Sequence, residues 1–269
     1  MSFVRIFLLI IMFVSLQGCV NQNNLEEKKN ENKNNFHRIK IYSVPPFFTF
    51  AGEKIPLESP DVREKFDKEL HINSYLHSST ILLLKRGKRW LPRISDILTK
   101  NGIPEDFKYL PVVESGLENA ISHKKAVGFW QLLSTTAREN GLIVNNEIDE
   151  RYDPIKSTYA AIKYLKKAYG KFNNWVDAAA SYNRGMRGYE NSMKSQKINH
   201  FFNLYLNSET TRYVYRILAI KEIFQNPDKY GFDLEEKDYY YPEHLLSYKI
   251  ENTIPNLTNW ALQHKSNYK

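Results

Sequence analysis

The chain has 269 residues, 42% hydrophobic and 14% aromatic, enough apolar mass for one real core. Charged residues make up 25%, the proportion of an ordinary soluble globular domain. A formal net charge of +8 and an isoelectric point near 9.2 raise nucleic acid as a partner, but the lysines are scattered without a basic block, which argues against it.

Residues 1–18 read as a removable leader, with Arg5 in a short n-region and an apolar stretch from Ile6 to Leu16. That stretch is shorter than the roughly 20 residues a bilayer-spanning helix needs. Cys19, the only cysteine, follows directly and has no partner for an internal disulfide. Residues 19–44, Asn- and Lys-rich through position 40, read as a flexible tether. The folded domain is expected over 45–235, with 236–269 as a short tail. Within the domain, a Pro-punctuated lead-in runs to residue 60. The apolar spacing of Val62, Phe66, Leu70, Leu76 and Leu84 predicts one helix over 61–84, and a shorter one follows over 92–100, stopped by Asn101-Gly102. The stretch 102–117 contains a further helix with Pro111 in its first turn. Residues 118–130 form a loop, and 131–140 is helical again.

Asp153-Pro154 supplies an N-cap and a proline at the first helical position for a helix closed by Gly170. Asn174 caps an Ala-rich helix over 175–183 that Gly185 and Gly188 end. Ser208 caps a long helix over 208–224, with Val214, Ile217, Leu218 and Phe224 facing inward. No strand alternation of any length appears before residue 239, where "YYYPEHLLSYKI" reads as a short strand or a packed tail. The whole is an all-α domain.

One residue is out of pattern. Phe107, Leu110, Glu114 and Leu117 share a helical face, widened by Val113, so an ionisable side chain points toward the interior. On the residues alone, Glu114 is either a carboxylate tied to an arginine or to backbone donors, or a general acid whose pKa rises on desolvation. The seven histidines show no metal-ligand spacing, no serine lies in a nucleophile elbow, and Cys19 belongs to the leader. No metal and no cofactor is expected.

"ESGL" at 114–117, "AVGFWQ" at 126–131 and "AASYNRG" at 179–185 resemble the three ordered signatures of lytic transglycosylases of the goose-lysozyme-like superfamily. "GIPEDFKYLPVVESGL", "DERYDPIKSTYAAIKYL" (149–165) and "ETTRYV" (209–214) narrow the resemblance to membrane-bound lytic murein transglycosylases. It spans about residues 45–235 and implies a lysozyme-like, goose-type helical domain. It implies cleavage of the MurNAc-GlcNAc bond of peptidoglycan without water, leaving a 1,6-anhydromuramyl end. Glu114 would be acid and then base, and Ser115, Ser122, Gln131, Tyr182, Asn183 and Tyr213 would bind substrate or hold the glutamate.

"LQGC" resembles a bacterial lipobox. By that resemblance Cys19 would carry a lipid anchor, with Val20 in place of Asp pointing to the outer membrane and a periplasm-facing lipoprotein. Glycan strands and the membrane are then the expected partners. The tail is too short for one complete LysM repeat. A hydrolytic muramidase on the same fold needs a second carboxylate, for which Glu118, Asp153 and Asp177 are candidates by type. A peptidoglycan-binding lipoprotein without activity is the third reading.

Overall fold

The computed structural model describes residues 40–242 and 249–264. The expected leader, Cys19 and most of the tether lie outside the described residues, as does the centre of the stretch 239–250. A compact unit begins at Val44.

Its first element is a hairpin of two antiparallel pairs, β1 (Thr49–Phe50) with β2 (Glu53–Lys54), Thr49 opposite Lys54. Two-residue strands are too short to show an alternation, so the sequence pattern carried no sign of them. The hairpin matters because the Glu53 carboxylate accepts from the backbone N–H groups of Trp175 and Val176 at 2.5 and 3.0 Å. It thereby satisfies open donors at the start of a later helix.

Helices follow in chain order. α1 (Pro60–Tyr75) starts at a proline and buries Val62, Phe66 and Leu70. α2 (His77–Lys100) runs through Pro92. The break thus falls at Leu76, not between Leu84 and Pro92 as the apolar spacing suggested. Asn73 and Ser74 at the end of α1 bond back to the carbonyls of Glu69 and Leu70, and Thr80 reaches over to the Asn73 carbonyl. Such side chains compete with the helical ladder and favour a stop. Pro92 is tolerated because it lies on the exposed face of α2, where water can take the unpaired carbonyl one turn back.

A 3-10 turn (Glu105–Tyr109) leads into α3 (Leu110–Ser115), which Gly116 ends at φ 64°. α4 (Ser134–Glu139) begins three residues later than expected, because Gln131 adopts φ 47° and belongs to the loop. α5 (Pro154–Phe172) is capped by Asp153, which accepts from Ile155 and Lys156. It continues past Gly170 and stops where Asn173 turns left-handed. α6 (Trp175–Arg184) is capped by Asn174, as the sequence suggested.

α7 (Met186–Gln196) was not anticipated. Its Gly188 reads as a breaker, yet only Tyr189 is buried, so little apolar periodicity marks it. α8 (Ser208–Gln225) is capped by Asn207, whose side chain accepts from Thr210, and not by Ser208. α9 (Leu257–Gln263) lies in the tail, and residues 239–242 are irregular.

α8 is the axis of the fold. From Tyr213 to Ile223 every residue but Arg216 is buried, as expected for a helix packed on all sides. It contacts α1, α3 and α6. α2 approaches so closely that a Cβ on Gly87 would stand 2.4 Å from the Phe224 ring. Charges inside this core are paired: Lys221 with Asp106 at 2.6 Å, Glu222 with Lys229 at 2.8 Å. Unpaired, they would carry a large desolvation cost.

Candidate active site

Glu114 stands in the last turn of the short helix α3. Gly116 must turn the chain immediately after it, in a left-handed conformation with little cost only for glycine. The loop that follows is held by side chains in place of regular structure. Ser115 Oγ lies 3.1 Å from the Pro111 carbonyl and 2.9 Å from that of Phe129, tying α3 to the loop. Ser122 Oγ accepts from the Ala126 N–H at 3.0 Å. Gln131 Nε2 donates to the carbonyls of Ala120 and Gly128, both at 2.9 Å. Gly128, at φ 80°, has no room for a side chain, since a Cβ would stand 2.0 Å from the Arg151 carbonyl.

Arg151 anchors the far side of the loop. Buried, it takes the Asp149 carboxylate at 2.9 and 2.6 Å and donates to the carbonyls of Lys125 and Leu132. Trp130 is fully buried; its indole donates to Thr158 and its carbonyl accepts the Tyr182 hydroxyl at 2.7 Å. Tyr182 therefore fastens α6 to the loop.

This scaffold leaves Glu114 at the wall of a cavity of about 450 Å³, shared with Asn183, Glu209, Arg212, Tyr213 and Arg216. Desolvation pushes its pKa from 4.5 up to about 7; the Tyr213 hydroxyl and the Arg216 charge pull it down, and Glu209 pushes it up. Burial dominates. Tyr213 Oη is buried without an aligned hydrogen bond while lying close enough to Glu114 to bear on its titration. Asn183 Oδ1 accepts from Thr210 Oγ1 at 2.9 Å, and its amide reaches Glu209 at 3.5 Å.

Of the residues singled out from the sequence, the cavity brings together Glu114, Asn183 and Tyr213. Ser115, Gln131 and Tyr182 spend their polar atoms on the loop, and Ser122 closes its tip. Glu209, Arg212 and Arg216 were missed. They fall at i, i+3 and i+7 on α8 with Tyr213 at i+4, one helical face, so the spacing around Tyr213 held the signal. The carboxylates named as candidates lie elsewhere. Glu118 is exposed and paired with Arg86, Asp153 caps α5, and Asp177 is buried against Tyr189 at 2.5 Å.

Residues 94–204 match the family described as Transglycosylase SLT domain. The chain carries an SLT domain. Over 200 residues it is 30% identical to the membrane-bound lytic murein transglycosylase D of Escherichia coli strain K12 and to that of strain O6:H1. The shared region is 71% of this chain and 43% of each relative, so the chain spans less than half their length. The matched SLT span includes α3, the loop and α6. α8, which brings Glu209, Tyr213 and Arg216 to the cavity, lies beyond it.

Proposed function

We propose that the chain is a peptidoglycan lytic transglycosylase with Glu114 as its catalytic acid and base. The observation that carries the reading is a glutamic acid within the matched SLT span, its pKa pushed up to about 7 by burial, facing a polar cavity closed by α8. A carboxyl group is an effective proton donor near neutral pH only when its pKa is raised this far.

Protonated Glu114 donates to the glycosidic oxygen between N-acetylmuramic acid and N-acetylglucosamine, and the bond from that oxygen to the muramyl anomeric carbon breaks. The carboxylate so formed takes the proton of the muramyl 6-hydroxyl, whose oxygen bonds to the same anomeric carbon. Glu114 ends protonated, as it began, and no water is consumed. The nucleophile belongs to the substrate, so positioning replaces a second carboxylate. Tyr213 and Arg216 steady the ionised stage, and the amide of Asn183 is placed for a polar group of the sugar. Gln131, Ser115, Ser122 and Tyr182 act by holding the loop against α3 and α6.

The relatives are named as membrane-bound. For this chain the anchor would be a lipid on Cys19, holding the domain at the periplasmic face of the outer membrane. Glycan strands are the partner, and nucleic acid is not.

Glu209 keeps hydrolysis open as a second reading, since it places another carboxylate on the same cavity. Mass spectrometry of soluble products from purified peptidoglycan separates the two. Muropeptides lighter by one water, ending in 1,6-anhydromuramic acid, support transglycosylation. Reducing ends would mean hydrolysis, with Glu209 the carboxylate to replace next, and retention on the glycan without products would leave only binding.

A further inference from the structure

α8 presents two neighbouring faces. Glu209, Arg212, Tyr213 and Arg216 face the Glu114 cavity, while Ser208, Thr211, Arg212 and Tyr215 face a second cavity of about 330 Å³. Both sets follow helical spacing, and Arg212 and Ser208 belong to both walls. The second cavity therefore adjoins the first along one helix, with Ser208 and Arg212 standing between them.

Its chemistry is distinct. Lys65, Lys68 and Arg212 line it against a single carboxylate, Glu69. Glu69 is buried and already committed to Arg212, accepting from Nε at 2.6 Å and Nη2 at 3.3 Å. That pairing fixes the guanidinium side-on and leaves Nη1 and one Nη2 hydrogen without a partner among the described residues. Lys65 is paired with Asp61, whereas exposed Lys68 has no ion-pair partner among the described residues.

The cavity also has a platform. Tyr205 is 87% exposed, yet its backbone is clamped by the side-chain amide of Gln196. Gln196 accepts from the Tyr205 N–H and donates to its carbonyl, both at 2.8 Å. An aromatic ring held out to solvent by a rigid backbone gives contact area at small entropic cost.

We propose that this second cavity is a binding subsite for a carboxylate-bearing peptide branch of the substrate, with Arg212 and Lys68 taking the carboxylate and Tyr205 packing on the peptide. The proposal rests on the peptidoglycan reading, whose stem peptides carry carboxylates and leave the strand at the muramyl residue beside the cleaved bond. A sugar seated over Glu114 then directs its peptide along α8 toward Lys68. The subsite would select peptide-bearing strands over bare glycan.

The test uses the full-length protein in two measurements. NMR titration with isolated stem peptide, carboxylates free or amidated, reads the subsite without catalysis. The free-carboxylate peptide is expected to bind and the amidated one to bind more weakly. Lys68→Glu should weaken binding roughly fivefold, the upper scale of an exposed charged contact, and Tyr205→Ala by about the same factor through lost ring contact. Arg212 is left intact because its removal would strand buried Glu69. Turnover on peptide-bearing strands and on the same strands stripped by an amidase then gives a ratio of kcat/KM values, expected to fall by a similar factor in both variants.

Equal binding of the two peptides, or variants that bind and discriminate like the wild type, would overturn the subsite. Peptide binding that follows the expected pattern without anhydro products would overturn the proposed reaction and leave the subsite standing.

Discussion

Replacing Glu114 by glutamine should make the folded protein more stable at alkaline pH while removing its turnover. The carboxyl has its pKa raised from 4.5 to about 7 by desolvation. Each pH unit between folded and unfolded pKa corresponds to about 1.4 kcal/mol. Allowing for water in the cavity, ionised Glu114 costs about 2–3 kcal/mol. The raised value fixes the sign. Below pH 4.5 both folded and unfolded chains carry the proton, and Glu114 gives no pH dependence. Between 4.5 and 7 the folded chain binds more protons, so its stability falls as pH rises, and above 7 the full cost is present.

Glutamine is nearly isosteric and does not titrate. Glu114→Gln should melt near wild type at pH 4.5 and roughly 4–12 °C above it at pH 8.5, at ~2–4 °C per kcal/mol for a domain of this size. Circular dichroism melts at the two pH values measure the difference. A gap that does not widen between pH 4.5 and 8.5 would refute the claim that Glu114 is desolvated in the folded state. Full activity in the variant would refute its role as the acid.

Turnover should fall above about pH 7 as Glu114 ionises, and Arg216→Gln should move that alkaline limb upward by roughly half a pH unit, because a charge favouring the carboxylate is gone; a limb that stays in place would sever Arg216 from Glu114. Gly128→Ala should cost more than about 3 kcal/mol, since the new Cβ meets the Arg151 carbonyl at a positive φ; a melting temperature within a degree or two of wild type would show that the loop has slack. Tyr182→Phe leaves the buried Trp130 carbonyl without its donor, at a cost of about 1–3 kcal/mol. Its pH profile should keep the wild-type shape, and a displaced profile would instead mean that the Tyr182 hydroxyl acts on Glu114.

Local chemistry made much of this protein readable in one dimension. Asp153-Pro154 and Asn174 open their helices because caps act within three or four residues, and Asn101-Gly102 stops α2 for the same reason. Glu114 stood out because the apolar residues around it are buried, although the helix spans only Leu110–Ser115, with Phe107 in the 3-10 turn before it and Leu117 past Gly116. Elements whose cause lies elsewhere in the chain were not legible. The split at Leu76 follows from Thr80 reaching back to Asn73. The hairpin at 49–54 has its use 122 residues away, where Glu53 caps α6.

The site divides in the same way. The residue pattern marked Glu114, and the family resemblance marked Asn183 and Tyr213, three residues that the fold gathers from three helices into one cavity. Neither could separate residues that face the cavity from those that build its wall, because Ser115, Gln131 and Tyr182 differ from them only in where their hydrogen bonds end. Only the tertiary structure decided that Glu114 is desolvated, that Glu209 and Arg216 share its cavity, and that Arg212 is held by a carboxylate from α1. Desolvation and charge proximity depend on distances between segments far apart in the chain, and no local pattern encodes those distances.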